Sequence, residues 1–247
     1  MTLMNRTFVI GDIHGAYKAL VQLIDRIQPT KNDTLIFLGD YVDGWSESAE
    51  VVDYLLQLKT NINCIFIRGN HDTWCSEWLN GNLSKQDWID GEGAATVNSY
   101  KNISKERLVQ HQSFYNSTIM YWIDEDNRLF IHAGFASMHG PIKETYSSNY
   151  SWDRTLWELA LALDPQLPKD SIFYPKRLKL FSEIYIGHTP TTNYNISTPV
   201  NKANLWNVDT GAGFRGPLSA VEVHSKEVFQ SDPAFTFYPT EKGRTYV

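Results

Sequence analysis

Thr7-Phe8-Val9-Ile10-Gly11-Asp12-Ile13-His14-Gly15 is an apolar run of strand length that stops at a glycine and releases an Asp and a His two positions apart. The same pattern then repeats. Leu20, Leu23, Ile24 and Ile27 recur at helical spacing, and Pro29 closes that helix. Residues 34–38 read as a second strand, which ends in Gly39-Asp40-Tyr41-Val42-Asp43. Val51, Val52, Leu55 and Leu58 form one apolar face of a helix that Ser46 or Ser48 can cap. Residues 62–67 make a third strand, followed by Gly69-Asn70-His71-Asp72. Alternation of this kind predicts an α/β fold with parallel strands and helices packed on the sheet. Residues just past the carboxyl ends of such strands share one rim, where ligands bind. Asp12, His14, Asp40, Asp43, Asn70 and His71 all fall on that rim.

Outward from this core the character changes. Residues 73–118 hold Trp74, Trp78, Trp88, a Gly91-Glu92-Gly93 patch and a helix expected over 104–114, and read as a helical insertion beside the site. A hairpin is expected from 119–123 and 128–131, then a long loop, then a helix over 152–163. The remainder reads mainly as β. Two further motifs lie here, His132-Ala133-Gly134 and Gly187-His188-Thr189-Pro190, each after a short apolar run. With no internal repeat or linker, the expectation is one domain over 1–247.

The chain is 42% hydrophobic and 13% aromatic, which supplies a real core. Its net charge of -6, without a basic block, argues against polymeric nucleic acid as a partner. The two cysteines, Cys64 and Cys75, suggest reduced thiols rather than a disulfide framework. Met1 to Arg6 leads straight into the first strand, and no apolar stretch suits a signal peptide or a membrane span. A cytoplasmic protein without a membrane partner is the expectation.

Oxygen and imidazole donors without thiolate suit Mn, Fe, Zn or Mg-type ions in hydrolytic chemistry. Asp12, His14 and Asp40 would hold one divalent ion. Asp40, Asn70, His132 and His188 would hold a second, with the Asp40 carboxylate bridging the two. A water shared between such ions becomes hydroxide near neutral pH and attacks phosphorus in line. His71, next to ligand Asn70, is free to protonate the departing oxygen as general acid, and Asp43 is placed to hold its other nitrogen. Taken singly, each motif also reads as a turn, a helix cap or a core histidine. Together they collect four of the chain's seven histidines at expected strand ends.

Asp12-x-His14-Gly15, Gly39-Asp40-x-Val42-Asp43, Gly69-Asn70-His71 and the downstream His132 and His188 resemble the calcineurin-like metallophosphoesterases. Within them the chain is similar to the phosphoprotein phosphatase branch, which includes bacterial and phage serine/threonine phosphatases and symmetrical diadenosine tetraphosphatases. Asp209-Thr210-Gly211 and Arg68 also fit that branch. The resemblance implies an αββα sandwich and a dinuclear site, often served by manganese. It implies hydrolysis of phosphomonoesters, with phosphoprotein as the first substrate class. The alternatives are symmetrical cleavage of dinucleoside tetraphosphates or a non-catalytic phosphate sensor.

Two positions depart from the pattern. Asp72 stands where the family usually has Glu. Asp43 is followed by Gly44-Trp45, where the family has an arginine that holds the phosphate, so a bidentate clamp is lost. Arg154 resembles another phosphate-contacting arginine and is a substrate-binding candidate; it also reads as a helix-surface arginine paired with Glu158. Trp45 is the second candidate, as a platform for a nucleobase, or else it packs against Trp74 or Trp78. Arg68 and Arg215 read as structural.

Overall fold

The computed structural model describes residues 5–83 and 86–244. Met1 to Met4, read above as part of the lead into the first strand, and residues 84–85 of the expected insertion lie outside the described residues. The first strands and helices fall where the periodicity puts them: β1 (Thr7–Ile10), α1 (Tyr17–Ile27), β2 (Thr34–Phe37), α2 (Ser48–Leu58) and β3 (Asn63–Phe66). β1, β2 and β3 pair in parallel, with Thr7 opposite Thr34 and Thr34 opposite Asn63. Two later strands, β9 (Pro217–Glu222) and β10 (Val228–Pro233), extend this sheet antiparallel, in the order β10-β9-β1-β2-β3. The second sheet runs β4-β5-β6-β8-β7, from β4 (Tyr121–Ile123), β5 (Arg128–Ile131), β6 (Glu183–Ile186), β7 (Val200–Lys202) and β8 (Leu205–Asn207).

Period-two alternation explains how the layers stack. In β1, Phe8 and Ile10 enter the core under α1 and α2, while Val9 enters a separate core with Phe130 of β5, Tyr185 of β6 and Val208. The neighbours of Phe130 and Tyr185, Leu129, Ile131, Ile184 and Ile186, face a third core with Leu156 and Trp157. Helices thus cover the outer face of each sheet and the inner faces meet, an αββα sandwich. Strands buried on both faces read as unbroken apolar runs, which is why they stand out in the sequence.

Between β3 and β4 the expected helical segment is four helices: α3 (Asn70–Leu79), α4 (Gln86–Asp90), α5 (Ala94–Ser99) and α6 (Lys105–Ser117). Ser104 caps α6 by accepting from the Arg107 N–H. Two local expectations are corrected. Neither serine caps α2: Glu47 is its N-cap residue, Ser46 hydrogen-bonds Glu241, and Ser48 hydrogen-bonds Thr96. The helix expected over 152–163 is broken into α7 (Asn149–Trp152) and α8 (Thr155–Ala162), because the Asp153 carboxylate captures the N–H groups of Thr155 and Leu156 and starts a new helix. A last short helix, α9 (Lys176–Lys179), precedes β6. Among the described residues, no helix is long and apolar enough to cross a membrane.

Candidate metal centre and active site

Six strand ends converge at one edge of the sandwich. Asp12, Asp40 and Asn70 follow β1, β2 and β3; His132, His188 and Asp209 follow β5, β6 and β8. All six are buried. The turns that bring them in are tight. His14, Asp40, Asp43 and His188 all have positive φ, between 52° and 70°, a conformation that costs a non-glycine residue about 1 kcal/mol. Glycine is required beside the carboxylates: a Cβ at Gly69 would lie 2.1 Å from Asp40 Oδ1, and one at Gly187 2.1 Å from Asp12 Oδ1.

Two of the site's histidines are oriented by backbone carbonyls. His14 Nδ1 donates to the carbonyls of Val42 and Asp43 at 3.0 and 2.9 Å, and His132 Nδ1 donates to Leu38 O at 2.8 Å. Each therefore turns Nε2 to the interior, as a metal-binding imidazole does. His14 Nε2 lies 3.7 Å from Asp40 Oδ2 and 3.9 Å from Asp12 Oδ2. His132 Nε2 lies 3.4 Å from Asp40 Oδ2 and 3.1 Å from Asn70 Oδ1. Among the described residues, donor atoms close enough to share an ion form two clusters, His14-Asp40-His71 and Asp40-His132-His188, and Asp40 belongs to both.

A cation fits this donor set. Asp12 Oδ1 and His188 Nε2 are buried without a hydrogen-bond partner among the described residues, an arrangement that costs stability unless a ligand completes it. Burial and the nearby Asp209 raise the Asp12 carboxyl above its ordinary range. Burial would also raise Asp40, but His132 and His71 outweigh it and hold that carboxyl low. Burial disfavours a charged His132, yet Asp40 and Asp12 push it up to about 10. His14 and His188 are lowered, first by burial and then by neighbouring positive groups, Arg244 for the one and His132 and Arg154 for the other.

His71 differs from His14 and His132 in being held by a carboxylate. Its Nδ1 meets Asp43 Oδ2 at 2.7 Å. A carboxylate only accepts, so Nδ1 carries the proton and Nε2 is the nitrogen left over. Asp43 is held in turn by Trp88 Nε1 on Oδ2 at 2.7 Å and Thr96 Oγ1 on Oδ1 at 2.6 Å. Asp72 pins the same loop by accepting from the N–H groups of Asp40, Tyr41 and Gly69 at 2.7–2.8 Å.

The two substrate-binding candidates fare differently. Arg154 is exposed at the start of α8, near enough to His188 for its charge to be felt there. Its carbonyl accepts from the Glu158 N–H at 3.0 Å, while its guanidinium makes no hydrogen bond or ion pair among the described residues, so the expected side-chain pair with Glu158 is not formed. Trp45 is fully buried, donates Nε1 to Ala212 O at 2.7 Å and stacks on Tyr238 at 5.0 Å. It is a core residue, in the cluster against which Trp74 and Trp78 also pack, and offers no face to a base. Arg68 hydrogen-bonds Thr118 and Tyr115 O, and Arg215 lies over the Phe235 ring.

Several residues at the site went unassigned in the sequence reading. Trp88 and Thr96 reach Asp43 from the helical segment, and Asp209 adds a further buried carboxylate. Trp74 lies 5.1 Å from the His71 ring, Trp152 lies 5.8 Å from His188, and the two indoles meet at 5.3 Å. Arg244 Nη1 comes within 3.3 Å of His14 Nε2.

Residues 6–204 match the profile of the family described as Calcineurin-like phosphoesterase. The chain is 25% identical to an asymmetrical bis(5'-nucleosyl)-tetraphosphatase of Anoxybacillus flavithermus, over 96% of this chain and 98% of that protein. It is 46% identical to the serine/threonine-protein phosphatase 2B catalytic subunit A2 of Saccharomyces cerevisiae, but over only 26% of this chain and 11% of that protein. A crystal structure of a candidate diadenosine tetraphosphatase superposes with a TM-score of 0.63 at 15% identity, covering 93% of this chain and 94% of its own. Fold, strand-end site and family match agree: the chain belongs to the calcineurin-like phosphoesterases and is a metal-dependent phosphoric ester hydrolase.

Proposed function

We propose that this hydrolase acts on a nucleotide, with dinucleoside tetraphosphates as the leading substrate class. The observation that carries the reading is the aromatic pair Trp74–Trp152, which spans from His71 to His188. Trp152 is 41% exposed, so it offers an indole face to a base whose phosphates lie over the histidines. The tetraphosphatase relatives align over nearly the whole chain, whereas the protein phosphatase match is confined to a quarter of it. The second reading, a serine/threonine phosphatase, is favoured by that short match, which has the higher identity.

Asp12, His14 and Asp40 would hold one divalent ion, and Asp40, Asn70, His132 and His188 another, with manganese the expected metal. Ions bound there would supply Lewis acidity and a nucleophile for hydrolysis at phosphorus. His71 delivers a proton to the departing oxygen from Nε2, since Nδ1 is committed to Asp43. Asp43 orients the ring, and Trp88 and Thr96 orient Asp43. Arg154, exposed beside His188, meets the phosphate chain on that side.

The experiment is an assay of manganese-reconstituted protein on diadenosine tetraphosphate and on a phosphothreonine peptide. Nucleotide products with little phosphate from the peptide are expected. ATP with AMP would mark asymmetrical cleavage, and two ADP symmetrical cleavage. Phosphate from the peptide alone would reverse the order of the two readings.

A further inference from the structure

Beside His14 the main chain leaves a place that a distant residue fills. Gly44 has φ 130°, and a Cβ there would lie 3.0 Å from His14 O and 3.2 Å from Cγ of Arg244. Arg244 is 230 positions from His14 in sequence, yet its approach is fixed at several points. Its N–H donates to Gly213 O at 2.7 Å. Gly243, with φ 63°, lies so close to Trp45 that a Cβ would come within 2.7 Å of Cζ2. Glu241 accepts from the N–H and hydroxyl of Ser46 at 3.0 and 2.8 Å. Trp45 is thus the floor under residues 241–244, itself locked by Ala212 and Tyr238.

The guanidinium carried on this floor is under-satisfied. Nη2 donates to Glu92 Oε1 at 3.1 Å, on the rim, while Nη1 faces His14 Nε2 at 3.3 Å. Nε is buried with no hydrogen-bond partner among the described residues. A five-donor cation with its side chain only 19% exposed and one carboxylate partner has donors left for an anion. A cavity of about 400 Å³ opens beside it, walled by Gly44, Gly91, Ala94 and Gly243.

We propose that Arg244 is a phosphate-binding residue of this site, holding oxygens of the substrate's phosphoryl group on the His14 side. Glu92 fixes the guanidinium plane, and the small residues around it leave room for the rest of the ligand. The identity of the anion rests on the phosphoesterase reading.

The test compares wild type, Arg244→Ala and Arg244→Lys, each loaded with manganese and checked for metal content. Calorimetry with inorganic phosphate reads binding without turnover. Arg244→Ala is expected to keep its metal and weaken phosphate roughly 10- to 100-fold. Arg244→Lys, which keeps the charge but loses the fork, falls between, and serves alone if the alanine variant does not fold. Added guanidinium should restore part of the binding to Arg244→Ala. Unchanged phosphate affinity in a folded, metal-loaded variant would overturn the proposal, as would loss of metal in both variants. Wild-type turnover with no effect of Arg244 would sink this inference and leave the phosphoesterase reading standing. Arg244-dependent phosphate binding without turnover would do the reverse.

Discussion

His71 and Asp43 are set in a chain of donors that runs into the helical segment: Trp88 and Thr96 on Asp43, Asp43 on His71. Replacement of His71 by Asn keeps a polar side chain near the ring's position but removes the proton donor. In the proposed role, turnover of alkyl phosphates should fall by roughly 10²- to 10⁴-fold. Aryl phosphates, whose leaving oxygens need no proton, should lose far less, with metal content unchanged. The ratio of kcat/KM for the two substrate types is the measurement, and equal losses would remove His71 from the acid role. At this scale the sequence reveals what carries a strand-end motif. Asp12, His14, Asp40, Asn70, His71, His132 and His188 converge because each follows a legible apolar run. Trp88, Thr96, Trp152 and Arg244 reach the site from helices and loops with no such marker, so nothing in their spacing announces them. Trp45 misleads for the opposite reason: its place next to Asp43 puts it close to the motif in sequence, while its side chain turns into the core against Tyr238.

Asp33 shows how the elements behind the site are joined. It precedes β2, and its carboxylate accepts from the Arg6 N–H ahead of β1 at 3.0 Å, from Arg6 Nη2 at 2.7 Å and from the Thr30 N–H at 2.7 Å. Burial alone would raise this carboxyl, but the Arg6 and Thr30 hydrogen bonds outweigh it and bring it down to about 2. A folded-state value below the unfolded one contributes stability above the unfolded value, near pH 4, which is lost as pH falls toward 2. Asp33→Asn should therefore cost about 1–2 kcal/mol at neutral pH, the lower figure reflecting solvent screening of Arg6. The gap to wild type should close between pH 4 and pH 2 in denaturant titrations. A gap of constant size across that range would contradict the assignment. Among elements, the parallel strands and α1 were legible because their apolar periodicity is strong. The cap of α2 and the break after α7 were not, because both depend on side chains choosing between competing hydrogen bonds: Ser46 with Glu241, and Asp153 with the backbone of α8.

Across the whole molecule, the site belongs to neither sheet alone. Asp12, Asp40 and Asn70 come from the first sheet and His132, His188 and Asp209 from the second, and the halves touch directly, His132 on Leu38 O and His188 N–H on Asp12 Oδ2. Asp40 is common to both donor clusters, so it is the residue on which the two-ion account depends most. The most direct measurement is metal content and phosphate-ester hydrolysis in wild type and Asp40→Asn, before and after chelation. Asn matches the shape of Asp and tolerates the positive φ at this position, so the fold should survive. Two divalent ions per wild-type chain are expected, with activity that disappears with chelator and returns with manganese, and a variant that loses both metal and at least roughly 10²-fold in turnover. Undiminished hydrolysis by the chelated protein, or by Asp40→Asn without its metal, would contradict the two-ion account.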